Sequence, residues 1–189
     1  MPTNDLYMVV DLEATCSDEG AVPRAEMEII EIGAVMVDGE SLSPIDEWQS
    51  FIRPQRHPQL TDFCRSLTSI NQAQVDAAAL FPDVLADFIA WIAEFTARGF
   101  AEPVFGSWGD YDRLQFAQDC ELHGIAYPLP PTHLNIKRRF QEELSLKRKV
   151  GLKGALKHVG LPLDGTHHRG IDDARNIAKL LPYALGRVE

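Results

Sequence analysis

Three features are scarce in this chain of 189 residues. Cysteine occurs only as Cys16, Cys64 and Cys120. An odd, scattered set has neither the paired spacing of a zinc site nor the density of a disulfide-stapled secreted domain, so three reduced thiols are expected. Long apolar runs are also missing: no stretch approaches the roughly 20 residues that a membrane span needs. The opening Met1-Pro2-Thr3-Asn4-Asp5 carries neither the basic nor the apolar part of a secretion signal. These absences predict a cytoplasmic protein without a membrane anchor. Basic residues are in deficit, 18 Lys and Arg against 28 Asp and Glu, for a net charge of −10. Nonspecific attraction of nucleic acid by a globally positive surface is thereby excluded, and a polyanionic partner would need a local basic patch or bound cations.

What is present fits one compact domain over residues 1–189, with 45% hydrophobic and 24% charged residues and no repeat or linker. The run from Leu6 to Val10 reads as a buried strand that ends in Asp11-Leu12-Glu13. Residues 16–27 read as a loop. A central strand is expected from Ile29 to Val37, a hairpin turn at Asp38-Gly39 and a third strand from Trp48 to Ile52, which together make an antiparallel meander. Short helices follow, with Thr61 and Asn71 as N-caps. Apolar residues at helical spacing, with Pro82 in the first turn and Gly99 beyond the end, predict a helix from Phe81 to Arg98. A short strand over residues 103–108 leads into a helix ending near Gly124. Prolines from Pro128 to Pro131 then interrupt the chain before helices near 136–144, 151–159 and 171–185, the last shortened or kinked by Pro182. The order implies an α/β fold: a mixed sheet covered by helices, with the first strand near its middle.

A buried strand should not end in two carboxylates without compensation. Side chains alternate along a strand, so Asp11 and Glu13 share a face and can contact one divalent cation. Ser107-Trp108-Gly109-Asp110-Tyr111-Asp112 joins the fourth strand to its helix, where α/β sheets gather ligands. The spacing leaves open which of Asp110 and Asp112 points inward, the other serving as a cap. Near the C-terminus, His167-His168-Arg169-Gly170-Ile171-Asp172-Asp173 offers a His five residues before an Asp in two registers. Helical periodicity sets Ile171, Ala174, Ile177, Ala178, Leu180 and Leu181 on the buried face, with Asp172, Arg175, Asn176 and Lys179 opposite. Asp173 falls at the edge of the buried face and is the expected ligand. Asp172 becomes a cap or a solvated acid, His168 the working imidazole, and His167 a solvent-facing residue. Carboxylates with few soft ligands favour Mg²⁺ or Mn²⁺. Two such ions suit a phosphodiester displacement in which His168, with an ordinary pKa of about 6.5, takes the proton of the attacking water.

Three segments, residues 11–15, 108–112 and 168–173, resemble the motifs of the DEDDh superfamily of proofreading-type 3'-5' exonucleases with a ribonuclease-H-like fold. The nearer resemblance is to the Eri1/3'hExo-like exoribonucleases. Residues 11–16, 28–31, 51–54, 59–64, 66–70 and 74–76 read like that branch's segments in order. The resemblance implies a five-stranded ribonuclease-H-like sheet and two divalent ions, Mg²⁺ or Mn²⁺, on Asp11, Glu13, Asp112 and Asp173, with His168 as general base. It also places the metal-binding Asp directly after an aromatic, which selects Asp112 over Asp110. Ala14, Thr15, Leu67, Thr68, Trp108, Tyr111 and His168 would surround the terminal nucleotide. The expected activity is release of nucleoside 5'-monophosphates from the 3' end of single-stranded RNA, with action on DNA left open. An exodeoxyribonuclease of repair or proofreading and a non-catalytic binding module holding a structural ion are the rivals. A basic series (Lys137, Arg138, Arg139, Lys147, Arg148, Lys149, Lys153, Lys157) offers a track for the single strand.

Overall fold

The computed structural model of the protein describes residues 5–130 and 132–188. The readings made on the first four residues and on Pro131 lie outside them.

Five strands form one sheet in the order β3-β2-β1-β4-β5. They are β1 (Leu6–Ala14), β2 (Ile29–Asp38), β3 (Pro44–Phe51), β4 (Val104–Ser107) and β5 (His133–Asn135). Strands β1, β2 and β3 make the antiparallel meander, with Leu6 opposite Asp38, Asp11 opposite Gly33 and Glu13 opposite Glu31. Strands β4 and β5 add in parallel on the other side of β1. The first strand therefore occupies the centre of the sheet, where a carboxylate-bearing end has neighbours on both sides.

Seven α-helices are described: α1 (Asp62–Thr68), α2 (Gln72–Asp76), α3 (Phe81–Ala97), α4 (Tyr111–Leu122), α5 (Ile136–Glu143), α6 (Leu152–His158) and α7 (Gly170–Ala184). On one face of the sheet, Met8, Val10 and Leu12 pack with Phe81, Phe88, Phe95 and Phe116 of α3 and α4. Val9 and Val35 face the other way, toward Ile136, Phe140, Leu156, Ile177 and Leu181 of α5, α6 and α7. Strand alternation then puts Asp11 and Glu13 on the face of Val9, the side that α7 covers. Each of the large side chains that α3 buries contributes about 1.5–3 kcal/mol relative to exposure, and Phe88 stacks on Trp91 and Phe116 at 5.8 and 6.0 Å.

Local chemistry explains most boundaries. Thr61 accepts a hydrogen bond from Cys64 N, and Asn71 with Gln74 forms a reciprocal capping box. Pro182 sits near the end of α7, which stops at Ala184. Three expectations are corrected, and one element was given no position. Asp38-Gly39 is not a two-residue hairpin turn, because the Asp38 carboxylate accepts from Glu40 N, Ser41 N and Ser41 Oγ, and residues 39–43 form the connection. The third strand begins at Pro44 rather than Trp48. Residues 24–26 of the presumed loop form a 3₁₀ turn. Strand β5 spans only three residues, too few for a periodic signal.

Candidate active site

The carboxylates converge because two elements meet with almost no side-chain volume between them. A Cβ on Gly33 of β2 would lie 2.1 Å from the backbone of Gly170, and a Cβ on Gly170 would lie 3.0 Å from Asp11 O. Two glycines thus let the first turn of α7 rest directly on β1 and β2. Beneath this contact lies Glu31, fully buried. It accepts from Arg169 Nε and Nη2 at 3.0 and 3.1 Å, from Gly170 N at 3.0 Å and from Gln49 Nε2 at 3.1 Å. The ion pair and the backbone bond tie the loop before α7 to β2.

Asp173 is delivered by that first turn. Its carboxylate accepts from His168 N at 3.0 Å, and His167 Nδ1 lies 2.9 Å from Oδ2 and 3.0 Å from Oδ1. One oxygen each from Asp11, Glu13 and Asp173 falls within a 4.8 Å cluster, and a second such cluster joins His167, His168 and Asp173. Asp112 enters from the first turn of α4, where Oδ1 accepts from Leu12 N at 3.0 Å. Asp110 holds the N-cap position of α4 without a capping hydrogen bond; its side chain accepts instead from Asn135 Nδ2 at 3.0 Å.

So much buried negative charge is unfavourable by itself. Burial, followed by repulsion from Asp112, Glu13, Asp173 and Glu31, pushes Asp11 well above the usual carboxylate range. Burial, then repulsion from Asp173, Glu31 and Asp112, raises Glu13 to about 9. Burial raises Asp112 to about 6 against the lowering effect of its backbone hydrogen bonds. An all-oxygen donor set held in this state fits hard divalent cations, whose charge offsets both the burial and the mutual repulsion.

These residues line a cavity of about 400 Å³ together with Ala14, Cys16, Met27, Leu67, Trp108, Tyr111, Gly151 and Leu152. Arg24 lies over the Tyr111 ring at 4.7 Å and holds it at the rim. Trp108 packs on Phe140 of α5, ring centroids 5.7 Å apart, and its Nε1 is a buried donor without an acceptor among the described residues. His168 adopts φ +63° and stacks on His167 at 4.0 Å. Burial and the neighbouring His167 lower its pKa, against the opposing pull of Asp173. The neutral imidazole is therefore favoured near pH 7.

Several expectations need correction here. His167 is only partly exposed: its ring lies in the cavity wall with Nδ1 2.9 Å from Asp173 Oδ2. Asp172 is neither cap nor solvated acid; it accepts from Thr166 N at 2.8 Å and pairs with Arg175 at 3.0 Å. Asn176 is buried and bonds Asp164 N, Asp164 O and Asp172 O, so it fastens the loop before α7. Thr15 and Thr68 lie behind the cavity rather than in it. Thr15 Oγ1 accepts from Glu28 N, and Thr68 Oγ1 donates to Cys64 O. Sequence reasoning gave no role to Glu31, Arg169 or Arg24. A carboxylate inside Ile29-Ile30-Glu31-Ile32 was a signal for Glu31; nothing local marked Arg24.

Residues 8–181 match the RNase_T family profile, described as Exonuclease. Human 3'-5' exoribonuclease 1 is 36% identical over 182 residues, covering 93% of this chain and 51% of that protein. Human ERI1 exoribonuclease 2 is 35% identical over 195 residues, covering 93% of this chain and 28% of that one. The chain thus spans about half or less of these two relatives. Among solved structures, the nuclease domain of 3'hExo, a DEDDh family member bound to rAMP, superposes with a TM-score of 0.87 at 32% identity, over 98% of this chain and 95% of that one. With its motif carboxylates gathered on a matching fold and the profile spanning nearly its whole length, the chain belongs to the exonuclease family, among relatives of the ERI1 and 3'hExo type.

Proposed function

We propose that the chain is a 3'-5' exoribonuclease that removes nucleoside 5'-monophosphates from the 3' end of single-stranded RNA. The observation that carries this reading is the meeting of Asp11, Glu13, Asp112 and Asp173 with a neutral-favouring His168 in one cavity. The names of the relatives, exoribonucleases in both human proteins, and the rAMP in the 3'hExo nuclease domain support an RNA 3' end as substrate.

Asp11, Glu13, Asp112 and Asp173 would hold the divalent cations, Mg²⁺ or Mn²⁺. When bound, these supply Lewis-acid stabilisation of the phosphodiester oxygens and lower the pKa of the attacking water. His168, on the cavity wall, takes the proton from that water through a ring nitrogen. Leu67, Trp108 and Tyr111 offer apolar and aromatic surface to the terminal base, and Ala14 keeps the wall beneath it smooth. Thr15 and Thr68 support this wall from behind.

The test is digestion of end-labelled RNA and DNA of one sequence with Mg²⁺, with Mn²⁺ and with chelator. Stepwise release of mononucleotides from the 3' end, faster on RNA and abolished by chelator, is the expected result. Asp11→Asn should remove both the activity and the stabilisation by metal. Faster digestion of DNA would make the chain an exodeoxyribonuclease. Absence of mononucleotide release under any metal would leave only a binding role.

A further inference from the structure

Two concave surfaces of opposite charge flank the catalytic cavity. On one side, Cys16 and Leu67 belong to the cavity wall, while their chain neighbours Ser17 and Ser66 line a depression with Asp18, Glu19 and Asp62. No cation lines that depression, and the nearby Arg65 is already paired with Asp62. On the other side, Trp108 and Gly151 belong to the cavity wall. Gly109 and Lys149 line a pocket of about 290 Å³ with Lys137, Arg138 and Gln141. This pocket carries three cations against one carboxylate, Asp110, whose Oδ2 already accepts from Asn135. On a chain of net charge −10 the local sign is reversed.

The pocket is also built rather than incidental. Helix α5, which carries Lys137, Arg138 and Gln141, is capped by Asn135 through Arg138 N and packed onto the cavity wall through Phe140 and Trp108. Gln141 Nε2 donates to Arg148 O and so holds the segment that presents Lys149. Gly109 has φ +117° and open space where a Cβ would be, so its backbone leaves the pocket floor uncovered. Only these three members of the basic series gather here. Arg138 Nε makes only a long, exposed contact of 3.9 Å with Glu142, whereas Arg139 is engaged by Glu143 at 2.9 Å and by Glu142, and Lys153 and Lys157 lie on the exposed side of α6.

We propose that this pocket is a second phosphate subsite, which takes a backbone phosphate of the single strand upstream of the 3' nucleotide held in the catalytic cavity. The inference rests on the proposed nuclease reading and adds the exit direction of the strand. A polyanion whose end sits in the cavity is repelled by Asp18, Glu19 and Asp62 and drawn across Trp108 toward Lys137, Arg138 and Lys149. A phosphodiester fits better than an acidic protein because Gly109 and Asp110 of the pocket are the chain neighbours of Trp108 and Tyr111 in the wall of the cavity that receives the strand.

The test compares a dinucleotide, which fills the catalytic cavity, with a ten-nucleotide RNA. The double variant Lys137→Glu/Lys149→Glu should raise KM for the ten-nucleotide RNA about tenfold and reduce the slope of log KM against log salt by roughly 0.7 for each phosphate that is no longer neutralised. The ratio of the two substrates' KM values should shift accordingly. Arg53→Glu/Arg98→Glu carries the same charge change on exposed residues that line none of these pockets, and should not shift that ratio. Equal KM changes on both substrates, or an equal effect of the control variant, would overturn the subsite. Loss of polyglutamate binding with RNA binding intact would assign the pocket to a protein partner instead. If the unaltered protein hydrolyses neither substrate, the nuclease reading fails. The subsite is then judged by anisotropy of the labelled ten-nucleotide RNA in chelator: weaker binding by the Lys137→Glu/Lys149→Glu variant supports it, and unchanged binding refutes it.

Discussion

Two adjacent imidazoles at the cavity have different surroundings, and so different expected roles. His167 Nδ1 is engaged with the Asp173 carboxylate at 2.9 Å. His168 offers Asp173 its backbone N–H and keeps its ring for the cavity. Removing the ring of His168 should lower kcat by about 10²–10⁴-fold, the usual worth of a general base, with metal affinity little changed. Removing the ring of His167 should instead weaken metal binding by roughly 10–100-fold, the usual cost of losing a group that orients a ligand. Metal titrations of kcat for His168→Ala and His167→Ala separate the two; matched losses in both parameters would refute the division of labour. The spacing of a His five residues before Asp173 was legible in the sequence. The contact of His167 with Asp173 was not, because helical periodicity holds only from Gly170 on and His167 and His168 lie in the irregular backbone before it.

At the scale of elements, the site depends on how closely α7 approaches the sheet. Gly33→Ala would place a methyl 2.1 Å from Gly170 C and Ile171 N, which only displacement of α7 can relieve. The expected result is a loss of about 1–3 kcal/mol of stability. Catalysis should fall further than unfolding explains, because Asp173 and His168 move with the helix. Denaturant melts paired with activity at a temperature where the variant is folded test this; a folded variant with full activity would show that the close approach is dispensable. The helix itself was readable, since α7, like α3, carries its apolar stripe in the sequence. The contact was not, because a glycine in a strand marks close approach without naming the partner. Glu31 shows the same limit. A carboxylate in an apolar strand announces a partner, yet Arg169 stands 138 positions away in the chain.

For the whole molecule, the cost of gathering acids should appear in its stability. Glu13 titrates near 9 and Asp112 near 6 in the fold, above their ordinary values. Between those ordinary values and the raised ones, the folded protein binds protons that the unfolded chain has released. Stability therefore falls as pH rises from about 4.5 toward 9 when no cation is bound. A divalent cation needs the deprotonated form, so its stabilisation should grow over the same range. In chelator, Tm should decline from pH 5 to 9. With Mg²⁺ or Mn²⁺ at about 100 times Kd, it should be higher by roughly 5–10 °C at pH 8, as about 2.7 kcal/mol of binding linkage requires in a protein of this size. Scanning calorimetry across pH, with and without metal, provides the measurement. A Tm in chelator that rises with pH and ignores the metal would mean that the acids do not share one site.

The sequence alone determined the strands and helices with long periodic signals and pointed to Asp11, Glu13 and Asp173 as candidate ligands, because alternation and helical period are local properties; Asp112 was singled out from Asp110 only by the family resemblance. Only the tertiary structure decided that Thr15 and Thr68 stand behind the cavity wall, that His167 joins Asp173, that Glu31 clamps Arg169, and which three of the eight basic residues share a pocket. Those outcomes depend on the direction in which side chains from distant segments meet, and direction across a contact is set by packing rather than by order along the chain.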